Sequence, residues 1–239
     1  TIRQRLGIYY FKFFYKSAFT HLWVAGPLQF EYAKRLGFKN NEIIFNFLSA
    51  DLSIFSAFYD KTINLKKNNY PHQFLFVGRF APEKGLNVLL DAWNAIEDKK
   101  DWKLKVLGNG PLKEQLQNHD DIKVIDFVQP EEFENIIKQS GCLLLPSIKE
   151  PWALVLHEFS AAGLPIIASN VCGSIPYFLI NGYNGFVFEN KNFNDLKQKM
   201  EKIIQLSDSE LFSMGVNSNR LGQRITPEIV AFNSLSVVK

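Results

Sequence analysis

The sequence predicts an α/β fold in which helices cover both faces of a parallel sheet. Between residues 72 and 225, short apolar runs alternate with segments whose apolar residues recur at helical spacing. Some of these runs end directly before a glycine, as Val77 does before Gly78 and Leu107 does before Gly108. Regular alternation of strand and helix is typical of a parallel sheet, and such sheets bind ligands at the carboxyl ends of their strands.

Each element follows from its local pattern. The apolar runs predict strands at 74–77, 104–107, 122–127, 142–145, 166–168 and 185–188. The helical spacing of Leu86, Leu89, Leu90 and Trp93 predicts a helix at 86–96, the first one of this central region. Further helices are predicted at 112–117, 130–140 and 153–162, and again from residue 193 onward.

The two ends of the chain differ from this central part. Residues 1–60 show the order helix, strand, helix, strand, and their first helix is crowded with aromatic residues. Residues 61–71 are polar and contain Pro71, which predicts a linker. Residues 72–225 would then form the main domain, and residues 226–239 a final helix.

Composition indicates a globular protein. Hydrophobic residues make up 46% of the 239 residues, and a formal charge of +3 is too small to indicate a nucleic-acid partner. Cys142 and Cys172 lie among small and apolar residues, which favours buried free thiols and suits a reducing cytosol. No apolar run reaches the ~20 residues of a membrane-spanning helix. The absence of an initiator Met and of a signal-peptide pattern leads us to expect a fragment.

The segment from Gly78 to Gly85 carries two cations, Arg79 and Lys84, between a predicted strand and the next helix. Gly85 has no side chain where the helix begins, which opens backbone amides to an anion. Because a charge-assisted hydrogen bond contributes about 1.5–3 kcal/mol, two such cations suit a diphosphate. The alternative is a solvated loop with two surface cations.

A second glycine-containing loop, Gly108-Asn109-Gly110-Pro111, follows the next predicted strand. Its glycines allow either the close approach of a ligand or a tight turn, which is the commoner use of these residue types.

The segment after the strand at 142–145 contains Glu150 and Glu158. Pro151 favours a helix start, so the amides of residues 153–155 lack intrahelical acceptors and point out of the helix end. Glu158 lies among apolar residues, where a carboxylate is costly to bury unless it accepts hydrogen bonds. Two vicinal hydroxyls of a ribose would supply them. The alternative is a pair of surface glutamates on an amphipathic helix.

Other residue types with known chemistry show no such arrangement. His157 is adjacent to Glu158, but neighbouring helical residues diverge by ~100°, so we interpret it as structural. The sequence contains no Cys/His cluster, Walker loop, G-x-S-x-G elbow or Asp-x-Asp pair after a strand. We therefore expect no metal.

These segments resemble the C-terminal half of glycosyltransferase family 4, whose members are retaining enzymes with the two-domain GT-B fold. The resemblance is strongest over residues 74–185. It rests on three signals in the family's order: Gly78-Arg79 through Glu83-Lys84-Gly85, then Gly108-x-Gly110-Pro111, then Glu150 and Glu158. It implies a Rossmann-like donor domain at 72–225, a remnant of the N-terminal, acceptor-side domain at 1–60, and a helix at 226–239 that returns to that domain.

The resemblance also implies a role for each residue of the site. Arg79 and Lys84 are expected to hold the donor diphosphate, Glu150 to lie beside the transferred sugar, and these three to be catalytic. Glu158 is expected to bind the ribose. The amides of residues 153–155 would face phosphate or sugar oxygens, and the backbone near Val128 would meet the base. The expected donor-binding residues are Gly78, Arg79, Lys84, Gly108, Val128, Glu150, Ala153, Leu154, Val155 and Glu158.

The implied reaction moves a sugar from a nucleoside-diphosphate sugar to a hydroxyl with retention, in cell-surface glycan or glycolipid synthesis. The donor is a substrate, and no cofactor is expected. A glycan or lipid-linked acceptor would bind mainly to a missing part of the N-terminal domain, so the chain alone is expected to bind donor weakly without turnover.

The implied location is the cytoplasm. The basic residues of the aromatic first helix suggest a peripheral contact with the inner face of the membrane. The alternative is that this helix is an interior helix of the missing domain. The basic residues are Arg3, Arg5, Lys12 and Lys16.

The chain departs from the family pattern at three places. Trp152-Ala153 stands where Phe-Gly is usual, Tyr177 replaces an acidic residue, and Gln129 replaces a glycine. The missing acidic residue leaves donor specificity open. Two alternatives also remain: a non-catalytic nucleotide-sugar-binding module, and another GT-B enzyme such as a sugar-nucleotide epimerase.

Overall fold

A computed structural model describes residues 2–117, 119, 121–129 and 132–236. The chain divides into two compact units, one formed by Thr1–Ser49 with Ile225–Lys239 and the other by Ala50–Arg224. Pro130 and Glu131, at the start of the predicted helix 130–140, lie outside the described residues. So do residue 1 of the first predicted domain and residues 237–239 of the last.

Strands and helices alternate through most of the chain. The strands are β1 (Leu22–Trp23), β2 (Ile43–Ile44), β3 (Gln73–Val77), β4 (Lys103–Leu107), β5 (Ile122–Ile125), β6 (Cys142–Leu145), β7 (Ile166–Ser169) and β8 (Gly185–Phe188). The helices are α1 (Ile2–Phe14), α2 (Pro27–Arg35), α3 (Leu52–Asn68), α4 (Leu86–Ala95), α5 (Lys113–Gln117), α6 (Phe133–Lys138), α7 (Leu154–Ala161), α8 (Ile175–Phe178), α9 (Phe193–Gln205), α10 (Asp208–Gly222) and α11 (Pro227–Leu235). Short 3-10 turns occur at Lys16–Ala18, Asn40–Glu42 and Pro82–Lys84.

The larger unit is built on a parallel sheet with the strand order β5-β4-β3-β6-β7-β8. From β3 the chain proceeds outward through β4 and β5, returns to β6 on the other side of β3, and proceeds outward again through β7 and β8. Phe76 of β3 is in register with Val106 on one side and with Leu144 on the other. The carboxyl ends of β3 and β6 therefore form the switch point at which sheets of this kind bind ligands.

Both faces of this sheet are buried, as its continuous apolar strands predict. Phe74 and Phe76 share one core with Trp93 of α4 and Met200 of α9. Leu75 points to the opposite face, because side chains alternate along a strand, and it too is fully buried. The predicted α/β fold with a helix-covered parallel sheet is confirmed.

The prediction of a linker at 61–71 is wrong for most of its length. Helix α3 runs to Asn68 and buries Thr62 and Lys66. It begins at a capped end, where Asp51 Oδ1 accepts a hydrogen bond from the Ser53 amide at 3.0 Å, and it packs against α6 and α7. The polar residues at 61–68 are therefore part of an amphipathic helix of the larger unit. The two units divide at 49/50 and 224/225 rather than at the predicted boundaries.

The smaller unit shows the predicted order of helix, strand, helix and strand. Strands β1 and β2 pair in parallel, over a small core that includes Val24, Phe38 and Ile43. Helix α11 belongs to this unit, and Asn233 Nδ2 donates a hydrogen bond to the Phe45 carbonyl at 3.3 Å.

Helix α1 of the smaller unit has no buried residue, and Tyr9, Phe13 and Phe14 are more than half exposed. Contact with lipid and burial within a larger domain both stay predictions for this helix. Among the described helices, none is long and apolar enough to cross a bilayer.

Candidate functional site

The loop after β3 carries the two predicted cations. The Arg79 guanidinium pairs with the carboxylate of Glu83, four residues further along the chain. The Arg79 side chain is 67% exposed, and an ion pair in such a position contributes only about 0–1 kcal/mol. An incoming phosphate could therefore replace Glu83 as the partner of Arg79 at little cost.

Lys84 lies deeper and pairs with Glu150. Lys84 Nζ is 2.5 Å from Glu150 Oε2, and the two side chains are 27% and 13% exposed. Ser147 Oγ donates to the same carboxylate oxygen at 3.4 Å. This pair joins the loop after β3 to the loop after β6, so the residues predicted to contact the diphosphate and the transferred sugar touch each other.

Backbone contacts hold these two loops together at the switch point. The amides of Ile148 and Lys149 donate to the Glu83 carbonyl at 2.9 and 3.2 Å. Gly85 has a φ of +71°, and a Cβ at this position would lie 1.9 Å from the Pro146 carbonyl oxygen. Glycine at position 85 is thus required by the approach of the loop after β6. Its predicted role in opening amides to an anion stays a prediction.

The glycine loop after β4 serves a contact between loops. A Cβ at Gly108 would lie 1.9 Å from the Gly78 carbonyl oxygen. The amide of Gly78 donates to Leu107 O, and that of Gly108 to Ile125 O, each at 3.0 Å. These bonds extend the ladders of the sheet past the strand ends. The structure therefore accounts for Gly108 through packing of the two loops that form one wall of the site.

Helix α7 begins at the switch point after an unusual residue. Ala153 has φ and ψ of 75° and 75°, in the left-handed region that a side chain disfavours. Three hydrogen bonds fix this turn. The Gly173 amide donates to Glu150 O at 3.2 Å, the Ser174 amide to Trp152 O at 2.9 Å, and Ser174 Oγ to Ala153 O at 3.1 Å. The first amides of α7 lie directly after this turn.

Glu158, on α7, lines a cavity of about 470 Å³. Burial raises the pKa of its carboxyl group to about 7. The rest of the lining is largely apolar and comes from the ends of β3 and β4, from the segment after β5, and from α6 and α7. The lining residues are Val77, Gly78, Arg79, Leu107, Gly108, Asn109, Phe127, Val128, Phe133, Val155 and Glu158.

The structure brings most of the predicted donor-binding residues to this cavity. Those that line it are Gly78, Arg79, Gly108, Val128, Val155 and Glu158. Lys84 and Glu150 are not among its lining residues and form the ion pair in the adjoining loops. Ala153 and Leu154 also lie outside the lining, although both directly precede Val155.

Five lining residues were not among the predicted donor-binding residues: Val77, Leu107, Asn109, Phe127 and Phe133. Phe127 and Phe133 form apolar parts of the wall, and Phe127 is 64% exposed. Asn109 lies between two glycines, and its Oδ1 accepts the Gly110 amide at 2.7 Å. Phe127 follows β5 at the ligand-facing edge, which is a usable signal, whereas the contribution of Phe133 from a helix depends on packing alone.

Residues interpreted as structural are buried in the larger unit. His157 Nδ1 accepts the Ala50 amide at 3.0 Å, and Nε2 donates to Gly222 O at 2.8 Å. Burial lowers the pKa of His157 to about 4, so the ring is neutral near pH 7. Cys142 and Cys172 are buried free thiols. The structural role predicted for His157 is confirmed. The prediction that both cysteines are buried free thiols is confirmed as well.

The sequence matches a known protein family over most of the larger unit. The model of the family "Glycosyl transferases group 1" matches residues 60–215, well over half of the chain. An uncharacterized glycosyltransferase of Methanocaldococcus jannaschii is 32% identical over 162 residues, covering 64% of this chain and 44% of that protein. The UDP-Gal:alpha-D-GlcNAc-diphosphoundecaprenol alpha-1,3-galactosyltransferase of Escherichia coli is 26% identical over 164 residues, covering 65% and 41%. The chain thus spans less than half the length of these curated relatives.

A solved structure shows the same fold. The Anabaena protein HepE in complex with UDP-glucose aligns with a TM-score of 0.73 at 16% identity, covering 99% of this chain and 67% of HepE. At this identity the similarity establishes the fold alone. The family is established by the sequence match, and the chain belongs to the group 1 glycosyl transferases.

Proposed function

We propose that this chain binds a nucleoside-diphosphate sugar in the cavity at the carboxyl ends of β3 and β4. It would supply the donor half of a retaining, family 4 type hexosyltransferase. The observation that supports this most directly is that Arg79 and Glu158, distant in sequence, line one cavity at the switch point. A cation for a diphosphate and a partly buried carboxylate for a ribose are the two polar groups such a ligand needs.

The apolar part of the cavity suits the nucleoside. Val77, Leu107 and Phe127 provide apolar surface, and the backbone near Val128 offers amide and carbonyl groups to the edge of a base. Glu158 lines the same cavity from α7, where its ionised carboxylate can accept hydrogen bonds from two ribose hydroxyls. The energetic cost of burying that carboxylate is offset when it gains these donors.

The hard step of sugar transfer is the departure of the diphosphate, on which negative charge accumulates as the sugar becomes oxocarbenium-like. Arg79 and Lys84, with the first amides of α7 at residues 153–155, would stabilise that charge. Glu150 is held beside Lys84 and would face the transferred sugar. We propose that these groups suffice without a metal ion, so chelation by EDTA should leave the rate of transfer unchanged.

The acceptor is a hydroxyl of a glycan or of a lipid-linked sugar, in surface glycan or glycolipid synthesis. The name of the Escherichia coli relative describes a galactosyltransferase that acts on a diphosphoundecaprenol-linked sugar.

Because the chain spans less than half of its curated relatives, it would bind donor without sustained transfer when isolated. Its place would be the cytoplasm, at the inner face of the membrane. A steady rate of sugar transfer by the isolated chain would contradict the proposed inactivity. Failure of the protein to sediment with anionic vesicles would contradict the proposed membrane contact.

The first test is a thermal-shift measurement of this chain with UDP, GDP and ADP. A nucleotide at 100 times its Kd should add about 2.7 kcal/mol to the free energy of unfolding. Arg79→Ala should weaken binding by about 10- to 100-fold, because one charge-assisted hydrogen bond contributes about 1.5–3 kcal/mol. Arg220→Ala, an exposed arginine on α10, is the matched control. The proposal fails if no nucleotide raises Tm, or if both variants bind as the unmodified chain does.

The catalytic part is tested in a preparation that carries out transfer. Arg79→Ala and Lys84→Ala should each lower kcat by about 10²–10³, the usual effect of removing one donor to a developing oxyanion. Analysis of the anomeric configuration of the product decides retention. Donor binding with neither hydrolysis nor transfer would instead identify a non-catalytic binding module.

A further inference from the structure

A second cavity, of about 730 Å³, lies at the amino ends of β3 and β4. Gln73, the first residue of β3, lines this cavity, whereas Val77, the last residue, lines the candidate donor site. A rise of about 3.3 Å per residue separates the two ends of β3 by ~13 Å. The two cavities are therefore on opposite edges of the sheet, and the proposed donor chemistry makes no use of the second.

The charged lining of this cavity is mostly cationic. Lys66 comes from α3, Lys103 from β4 and Lys138 from the end of α6. Among the lining residues that the structure describes, Asp101 is the one carboxylate, and it is bound to His72 Nδ1 at 2.6 Å. Three lysine side chains thus line one space whose carboxylate already contacts a histidine.

Lys66 is the most deeply buried of these cations, with 3% of its surface exposed. Its Nζ donates to the Ser140 carbonyl at 2.8 Å, which uses one of the three donors of an ammonium. No carboxylate of the described residues forms an ion pair with it, and burial lowers its pKa to about 7. A buried ammonium without a counter-charge is costly, so an anion in the cavity would stabilise its charged form.

Gln73 provides an independent sign of a missing acceptor. Its Nε2 is buried and has no hydrogen-bond partner among the described residues. An unsatisfied buried donor costs about 1–3 kcal/mol, and native structures contain few of them. Gln73 lines the cavity together with the three lysines, so an acceptor oxygen that enters beside it would supply the partner that Nε2 lacks.

We propose that this cavity is a binding site for a phosphate group, either as inorganic phosphate or as a small phosphate monoester. Three cations from separate elements suit a tetrahedral dianion, whose oxygens can accept from several directions. Lys66, Lys103 and Lys138 provide the charge, and Gln73 provides a neutral donor. A bound phosphate would tie the end of α3 to the amino edge of the sheet and to α6. This proposal does not depend on the function proposed for the donor site.

The test compares the Tm of this chain in inorganic phosphate and in chloride of equal ionic strength. Phosphate should raise Tm in a saturable way. Lys66→Met, which keeps the length of the side chain without its charge, should weaken the phosphate effect at least tenfold. Lys67→Met is the matched control, because Lys67 is the exposed neighbour on the same helix, and it should respond as the unmodified chain does.

Further variants keep the outcome clear. If Lys66→Met fails to fold, Lys138→Gln, at an exposed lining position, takes its place in the test. We expect this variant to weaken the phosphate effect several-fold. Arg79→Ala removes a proposed phosphate contact of the donor site, so the part of the phosphate effect that depends on Lys66 should persist in this variant. The site is refuted if phosphate acts no more strongly than chloride or acetate, if Lys66→Met or Lys138→Gln responds like Lys67→Met, or if the effect disappears in Arg79→Ala. Glycerol phosphate in place of inorganic phosphate distinguishes the two sources, since a monoester site should bind it more tightly.

Discussion

Glu158 shows how one partly buried side chain affects both stability and the proposed binding. Its folded-state pKa of about 7 lies above the ordinary value of 4.5 because of burial. The folded chain therefore binds this proton more tightly than the unfolded chain does. It follows that the free energy of unfolding falls as pH rises from about 4.5 to about 7, and stays lower above that range.

Glu158→Gln, which cannot ionise, should remove this loss. We expect the variant to be more stable than the unmodified chain by about 1–3 kcal/mol at pH 8 and to differ little at pH 4. If the carboxylate accepts ribose hydroxyls, the same variant should bind a nucleoside diphosphate more weakly at pH 8. Urea unfolding at both pH values and calorimetric titration measure the two effects.

An exposed glutamate is the control for this change. Glu97→Gln should alter neither the free energy of unfolding nor that of nucleotide binding by more than about 0.5 kcal/mol. Equal stability of Glu158→Gln and the unmodified chain at pH 8 would contradict the cost of burial. Unchanged nucleotide affinity would contradict the ribose contact.

Ala153 is a second residue whose local conformation matters. It occupies the left-handed region at the start of α7, which costs a non-glycine residue roughly 1–2 kcal/mol. The resemblance to the family leads one to expect glycine here, and the positive φ supplies the physical reason for that expectation. The turn persists with alanine because Gly173 and Ser174 bind the backbone on either side of it.

At the scale of elements, the loops after β3 and β6 determine the site. The Lys84–Glu150 pair and the two hydrogen bonds to the Glu83 carbonyl join them. Gly85 allows this contact, since the Pro146 carbonyl occupies the space of its missing side chain. Loss of the contact would displace both proposed catalytic loops.

Gly85→Ala should therefore be more damaging than its backbone conformation alone predicts. Gly182 is a matched control, because its φ of +79° is close to the +71° of Gly85 but nothing lies within 4 Å of a Cβ built there. Gly182→Ala should cost about 1–2 kcal/mol for the left-handed conformation. Gly85→Ala should cost several kcal/mol and weaken nucleotide binding as well.

Urea unfolding of the two variants makes this comparison. Similar losses of stability at positions 85 and 182 would show that the loop after β6 adjusts easily, and would remove the argument that Gly85 positions the site.

For the molecule as a whole, His72 is expected to link stability to pH. His72 Nδ1 contacts Asp101 Oδ2 at 2.6 Å, and Nε2 contacts Asp208 Oδ1 at 2.8 Å. Its ring stacks on Trp102. Partial burial alone would lower the pKa of His72, but the hydrogen bonds to the two carboxylates raise it above the ordinary 6.5. Protonated His72 thus joins the segments before β3 and β4 to the start of α10.

The sign of the effect follows from the raised pKa. The stabilisation is fully present below pH 6.5 and is lost as pH rises through the folded-state value. His72→Gln should therefore cost about 1–3 kcal/mol at pH 6 and much less at pH 9. Urea unfolding in phosphate-free buffer tests this, with His21→Gln in the smaller unit as the control. A cost for His72→Gln that is independent of pH would contradict the ion pairs.

Local patterns in the sequence were sufficient to predict the sheet, its parallel direction and the gathering of several residues at one edge of the sheet. Strand and helix periodicities depend on neighbouring residues, and a parallel sheet brings the ends of its strands to one edge. For that reason Arg79, Gly108 and Glu158 could be assigned to one region before any contact was known. The same local reasoning failed at residues 61–68, where a polar helical face resembles a linker until its buried side is seen.

The tertiary structure alone decided which groups touch. The pairing of Arg79 with Glu83 and of Lys84 with Glu150, the contact of Gly85 with the Pro146 carbonyl, and the buried Lys66 beside the second cavity depend on chain packing. Most of these contacts join residues far apart in sequence, and the burial that shifts the pKa values of Glu158 and Lys66 comes from several elements at once. No periodicity or motif records such distances, because they are set only when the helices pack against the sheet.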